Sequence, residues 1–468
     1  MLGGNTKNLW ILTEERPKYE VLRQILDRFV LDNGFSGFVD NLRILPILEN
    51  GKFTFTYELT GFRCSRVNKI YIKTVSGYSS FVDFLVFYQD DEPDPTTDVP
   101  VYVIEETKTD GSESRNTGVY QRCSKFVYAN SFYPSVNQIM LYNLRLEQKE
   151  KIAETIIFGT RMLMTYGVEI IGKDLDETIF KPFSSVDELI AYKNSMRKPP
   201  AGNVPIEITK TSDTILVSGR LFKSNGLGHD PNIGALSIIS ATLRKLGWTG
   251  KIVITKHGLV QSHIKRSNKF VLIANQTGIE LEGLDLPNPT PHTEYWRYDR
   301  SGEKIGTIFL HLVIESFTDS HSVYENHAGS ERGYFITSSG EYLTVGKYLD
   351  RVAYKGGDLA QIINLPDLTI LDVGRKQAIN IEGEMYRNKL TGIKQLSLFD
   401  AFESLFIKKN YPEFSIIRTV VLYGGDDSTE KFEVEVGFVL SNKGELILGI
   451  KAPAIFKDAI ERLVDFWG

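Results

Sequence analysis

The chain has 468 residues, 42% hydrophobic and 24% charged, with a net charge of −5. That length accommodates two to four globular domains at roughly 100 to 200 residues each, and the negative balance excludes a protein that simply coats nucleic acid with basic surface. No run reaches the ~18 apolar residues of a membrane helix, and two cysteines, Cys64 and Cys123, exclude a disulfide framework or a cysteine zinc site of ordinary count. The start, MLGGNTKNLWILTEERPK, has no basic leader ahead of an apolar stretch, so no signal peptide is expected and a reducing cytoplasm is the expected compartment.

In chain order, Pro17 and the spacing of Tyr19, Leu22, Ile25, Leu26 and Phe29 predict a helix over 17–32. Strands are expected over 52–60, 68–74, 81–88 and 100–107. A helix over 117–128 places Val119, Cys123, Phe126 and Val127 on one face, and the strand SVNQIMLYNL follows. A helix in SSVDELIAYKNSM is stopped by the paired prolines of NSMRKPPAGNVPIEI, the best linker in the chain. In the middle, HDPNIGALSIISATLRKLG reads as a helix with Asp230 as N-cap, Pro231 at its first position and Gly247 past its end. A second break falls in LPNPTPHTEYW.

After it come the strand DLTIL (367–371), the turn DVGRK, the strand QAINIEGEM (377–385), a helix over 393–409 and the strand FSIIRTVVLYG. Leu396, Phe399, Phe402 and Phe406 form one stripe of that helix. The order strand, hairpin, strand, helix, strand therefore occurs twice. It divides the chain into 1–193, a linker at 194–205, a middle part at 206–290, and 291–468.

The two hairpins carry the chemistry. In SSFVDFLVF, Asp83 is set among apolar residues, and VYVIEETK ends the next strand in Glu105, Glu106 and Lys108. A hairpin centred between residues 94 and 95 makes Asp83 and Glu106 cross-strand neighbours, with Lys108 on the same face and Glu105 on the other. Two carboxylates about 5 Å apart repel by roughly 3 kcal/mol at an effective dielectric near 20. A lysine offsets this in part, and a hard divalent cation offsets more. A surface hairpin with a Glu106–Lys108 salt bridge gives the same residue pattern.

Asp on one strand and Glu-x-Lys at the end of the next, followed by a helix and a strand, resembles the PD-(D/E)XK nuclease superfamily, to which many Type II restriction endonucleases belong. The resemblance implies an α/β (α+β mixed) fold, a restriction-endonuclease-like mixed sheet flanked by helices. It also implies Mg²⁺-dependent phosphodiester hydrolysis, with Asp83 and Glu106 as metal ligands and Lys108 orienting water or stabilising phosphate. Glu20 on the first helix and Gln121 after the motif are its secondary candidates. Val82 stands where the proline that names the motif would be.

In LPDLTILDVGRKQAINIEGEM the midpoint falls between 374 and 375, so Asp367 faces Glu382, with Glu384 on the same face. Here the pattern departs from the family, because glutamate replaces lysine; it resembles the minority of restriction endonucleases with that replacement. A decayed copy kept for DNA contact and a solvated acidic hairpin remain open. Asp367 and Glu382 are the expected metal ligands of this second site, Glu331 an added candidate, and Lys389 or Lys394 a replacing charge.

The middle part holds a basic run that includes Lys256, His257, Gln261, Lys265 and Arg266. Lysine and arginine position DNA through phosphate, whereas Gln, Asn and Arg read base edges, so this part is the expected recognition module; a solvated basic strand pair is the alternative. All seven histidines fall between 229 and 327, without a zinc spacing. Together these readings give the expectation of a sequence-specific nuclease of double-stranded DNA, working without a membrane, as a monomer with two sites or a homodimer. A less specific repair, recombination or defence nuclease and a DNA-binding protein with inactive nuclease folds are the rivals.

Overall fold

The computed structural model describes residues 6–13, 16–77, 82–107, 118–142, 154–172, 175–196, 207–218, 222–223, 226–227, 230–255, 260–264, 268–288, 296–297, 303–322, 366–385, 396–424 and 436–468. The architecture is a set of mixed sheets flanked by helices, the fold class that the resemblance implied. Two compact units form: Met1–Ser76 with Tyr88–Glu92 and Tyr298–Gly468, and Gly77–Phe87 with Pro93–Arg297.

In the first unit, helix Tyr19–Asn33 buries Val21, Leu22, Ile25, Leu26 and Phe29 along one stripe. It ends at Gly34, whose φ of 61° is left-handed; the Gly34 N–H donates to the Leu31 carbonyl and the Phe35 N–H to that of Val30. Glycine takes this conformation without a Cβ clash.

The strands Gly37–Glu49, Lys52–Cys64, Val67–Thr74 and Lys7–Thr13 lie side by side in that order. The first two close through Asn50 and Gly51, both at positive φ. That two-residue turn matches the twist of a hairpin, and it marks Gly37–Glu49 as a strand that the sequence reading omitted. A second sheet runs His321–Ser322, Leu368–Asp372, Gln377–Met385, Ser415–Tyr423, Val436–Leu440, Leu446–Leu448. Its first two pairings are antiparallel, the next two parallel and the last antiparallel.

Helix Glu303–Phe317 packs its apolar face inward. Phe309 lies 4.6 Å from the Phe53 ring and 5.9 Å from the Phe438 ring, so one side chain joins both sheets of the unit. The helix expected over 393–409 is described from Leu396. It is α over Asp400–Phe402, π over Glu403–Ile407 and α again over Lys408–Asn410.

In the second unit, Phe84, Leu85 and Val86 of the strand Phe84–Tyr88 pair antiparallel with Tyr102–Thr107, which continues in parallel to Asn137–Tyr142 and Glu169–Ile171. Helices Gly118–Ala129 and Glu154–Tyr166 flank this sheet. Helix Asp230–Lys245 packs against both, so the middle segment shares a compact unit with the first acid hairpin. Asp230, expected as N-cap, is the first residue of that helix, a difference of one position at a boundary that frays. Gly247 does end it, at φ 89°, with the Trp248 N–H donating to the Leu243 carbonyl. A smaller sheet in the order Glu207–Lys210, Thr214–Ser218, Lys251–Ile254, Ile279–Leu281 is antiparallel at its first pair and parallel thereafter.

Candidate active site

The first acid hairpin forms in a register one residue from the expected one. Phe84 pairs with Ile104, Leu85 with Val103 and Val86 with Tyr102, which carries Asp83 opposite Glu105 rather than Glu106. The loop is organised around Asp94 itself. Asp94 Oδ1 accepts from the Thr96 N–H and hydroxyl, and the Asp94 N–H donates to the Asp98 carboxylate. A hairpin centred on a residue, not between two, reverses which side chain faces which sheet surface. Glu105, expected on the far face, is therefore the partner of Asp83, and Glu106 alternates away.

The two carboxylates interlock through the backbone. Glu105 Oε2 accepts the Asp83 N–H at 3.1 Å, and Asp83 Oδ2 accepts the Glu106 N–H at 2.7 Å. Each acid turns its other oxygen toward one ammonium. Lys125 Nζ, from helix Gly118–Ala129, lies 2.6 Å from Glu105 Oε1 and 3.6 Å from Asp83 Oδ1. Arg122, one turn earlier on that helix, places Nε 3.6 Å from Glu105 Oε1 and donates to the Glu106 carbonyl at 2.9 Å. The Glu105 side chain is 2% exposed, those of Asp83 and Lys125 23%.

Burial, then the Asp83 carboxylate, push the Glu105 carboxyl up to about 8, against the pull of Lys125 and Arg122. Burial would lower Lys125, but the Glu105 and Asp83 carboxylates outweigh it and hold the ammonium above its ordinary value. Two acids face this ammonium, Glu105 at 2.6 Å and Asp83 at 3.6 Å, and together they favour the ion over the free amine.

Lys108, the lysine expected to complete this site, lies outside the described residues, as does the side chain of Gln121. Glu20 is exposed on helix Tyr19–Asn33, in the first unit. Sequence reasoning placed Glu105 on the opposite face and missed Lys125 and Arg122. Arg122 stands three residues after Val119 and four before Phe126, and Lys125 three beyond Arg122. Two cations bordering a buried stripe need partners, and that was the available signal.

The second hairpin forms in the expected register: Leu368 pairs with Ile381 and Asp372 with Gln377, so Asp367 is opposite Glu382. Asp367 Oδ2 accepts the Gly383 N–H at 2.8 Å, the same bond that Asp83 makes to Glu106. Asp367 is buried, while Glu382 and Glu384 are half-buried. On the same face Thr369 donates to Asn380, Asn380 donates to Glu403, and Arg418 bridges Glu403 and Asp400. Glu331, Lys389 and Lys394 lie outside the described residues.

Among the described residues no three His, Cys, Asp or Glu side chains gather as a metal set, so Asp367, Glu382 and Glu384 do not converge as a three-carboxylate site. The first hairpin offers two carboxylates whose oxygens already meet on one cation, which fits a Mg²⁺ ion that keeps most of its waters.

Of the expected DNA contacts, Lys256, His257, Lys265 and Arg266 lie outside the described residues. The Gln261 amide is engaged at both ends, donating to the Asp285 carbonyl and accepting the Asp285 N–H. That fixes a loop and leaves the amide unsuited to base reading as it stands. A cleft of about 730 Å³, lined by Asn130, Asn137, Tyr166 and Lys245 among others, opens in the same unit. It lies at the other end of the sheet: Asn137 pairs with Tyr102, the first residue of the strand that carries Glu105 near its end.

No helix among the described residues is long and apolar enough to cross a membrane. Comparison with family models, with curated proteins and with solved structures gives no match.

Proposed function

We propose that this chain is a Mg²⁺-dependent, sequence-specific endonuclease of double-stranded DNA, resembling Type II restriction enzymes of the PD-(D/E)XK superfamily. The observation that carries the reading is the convergence of Asp83 Oδ1 and Glu105 Oε1 on a single cation at the end of an antiparallel hairpin. A hydrolytic site for phosphodiesters needs such a pair, because it must concentrate negative oxygen ligands where a dication and a phosphate meet. Bound Mg²⁺ supplies Lewis-acid polarisation of a phosphate oxygen and acidifies its water.

The protein's own residues do the rest. Glu105 accepts the Asp83 N–H and Asp83 accepts the Glu106 N–H, so both carboxylates are fixed in orientation and neither has to reorganise to hold an ion. Lys125 supplies positive charge for a phosphate oxygen, the role expected of Lys108. Arg122 holds the Glu106 carbonyl and thereby the strand end. The facing pair Asp367 and Glu382 is the second candidate site, with Glu384 farther along the same strand, and with it one chain could cut both strands. The assignment of Lys256, His257, Lys265 and Arg266 to DNA contact is part of the same proposal.

The neutralisation of the Asp83–Glu105 pair by Lys125 and Arg122 favours one second reading, a DNA-binding protein whose nuclease folds are inactive. Digestion of a mixed plasmid library with Mg²⁺ separates the readings. Discrete fragments with common ends support the restriction-like reading, a smear supports a nuclease without strict preference, and intact DNA that is nevertheless bound supports the inactive one. Asp83→Asn should abolish cleavage. Asp367→Asn should leave nicked circles if each hairpin cuts one strand.

A further inference from the structure

The ammonium of Lys125 lies where the free oxygens of Asp83 and Glu105 converge, 3.6 Å and 2.6 Å from them. A dication held by those same two oxygens would need that position. Two positive charges cannot share it, because a monovalent and a divalent cation at contact distance repel strongly in a partly buried site. Arg122 does not compete in the same way, since its Nε is tied to the Glu106 carbonyl at 2.9 Å and stands 3.6 Å from Glu105. Lys125 has the means to leave. Its stem is flexible, and its side chain is 23% exposed while the Glu105 side chain is only 2% exposed.

The second hairpin gives an independent observation. Its following helix carries Asp400 and Glu403, with the same three-residue spacing as Arg122 and Lys125. These acids face Asn380 and Arg418 of the sheet. The helix after the second hairpin thus turns acids toward its sheet where the helix after the first turns cations.

We propose that Lys125 is an internal counter-cation that closes the Asp83–Glu105 pair to divalent metal. Loading requires Nζ to swing from the carboxylates toward solvent, and from there it can meet a phosphate. The proposal rests on the metal-dependent reading above and names a control device for that site: nucleic acid phosphate, by offering Lys125 a second anion, favours loading, so metal uptake is coupled to DNA.

The test uses the full chain and two readouts that do not depend on cleavage. Mn²⁺ binding is followed by electron paramagnetic resonance for wild type, Lys125→Met, Lys125→Gln and Asp83→Asn. The Lys125→Gln side chain is neutral but keeps polar donors on that helix, so it serves where the methionine variant does not fold. Amine acylation of wild type, with and without Mg²⁺, is read at Lys125 by mass spectrometry. We expect the neutral variants to bind Mn²⁺ at least tenfold more tightly, Asp83→Asn to lose binding, and Mg²⁺ to raise acylation of Lys125 severalfold. Asp83-dependent binding that is unchanged or weaker in the folded neutral variants, or Lys125 acylation unmoved by Mg²⁺, overturns the counter-cation and leaves the nuclease reading standing. Absence of Asp83-dependent Mn²⁺ binding in every protein overturns both. Tight binding with intact plasmid keeps the counter-cation and overturns the nuclease.

Discussion

In both acid hairpins an aspartate at the first strand accepts the N–H that follows the facing glutamate, Asp83 from Glu106 and Asp367 from Gly383. The second strand of each then continues in parallel to a neighbour. What differs is the charge that the next helix presents. Around Glu105 the helix brings two cations, Arg122 and Lys125. In the second hairpin the helix brings two acids, Asp400 and Glu403, and the sheet answers with Arg418. The same backbone thus holds a closed acid–lysine pair in one place and a polar network set beside the acid pair in the other. The hairpin geometry fixes where the carboxylates sit, while the following helix decides which charged side chains are turned toward that face of the sheet.

Function is the hardest test of that contrast. Glu105→Gln should lower Mg²⁺-dependent DNA cleavage by on the order of 100-fold or more, while Glu106→Gln stays within about threefold. Equal losses, measured on a supercoiled plasmid, would return the site to the other face of the sheet. Stability comes next. Glu403→Ala leaves Arg418 and Asn380 without their shared acceptor, and should cost about 3 kcal/mol in urea unfolding. A loss below about 1 kcal/mol would make the network a solvated surface feature.

The pH response should separate the hairpins further. Burial, then Asp83, raise the folded-state Glu105 carboxyl from 4.5 to about 8. The stability it contributes is full in acid and is lost as the pH rises through about 8. Between about pH 5 and pH 9, wild type should lose unfolding midpoint relative to Glu105→Gln, and a Glu403→Gln background should keep that slope. A pH-independent difference would show that Glu105 is ionised at no extra cost. The smallest effect is expected for Thr369→Val, which removes one buried donor to Asn380 and should destabilise by about 1 kcal/mol.

The elements themselves were largely legible. The apolar stripe ending at Gly34, the strand Gln377–Met385 and the helix closed by Gly247 follow from periodicity and stop signals. Gly37–Glu49 was readable too, from the Asn50–Gly51 turn that the reading passed over. The two registers fared differently for one reason. Asp372 and Gln377 close a short turn, which fixes Asp367 against Glu382. Tyr88 and Tyr102 are joined by a long loop whose centre is set by hydrogen bonds around Asp94, and no count along the sequence reveals that centre.

From the sequence alone came the residue types, the two hairpins with their following helices and the acids that mark each strand end; the mixed sheets came only through the resemblance those residues carry. Only the tertiary structure decided that Glu105 turns inward, that Lys125 lies on the acid pair and that Glu403 takes Arg418. Local patterning reports a side chain's alternation relative to its own strand or helix. Which surface that side chain meets depends on register and on the packing of elements distant in the chain, and a shift of a single residue reverses it.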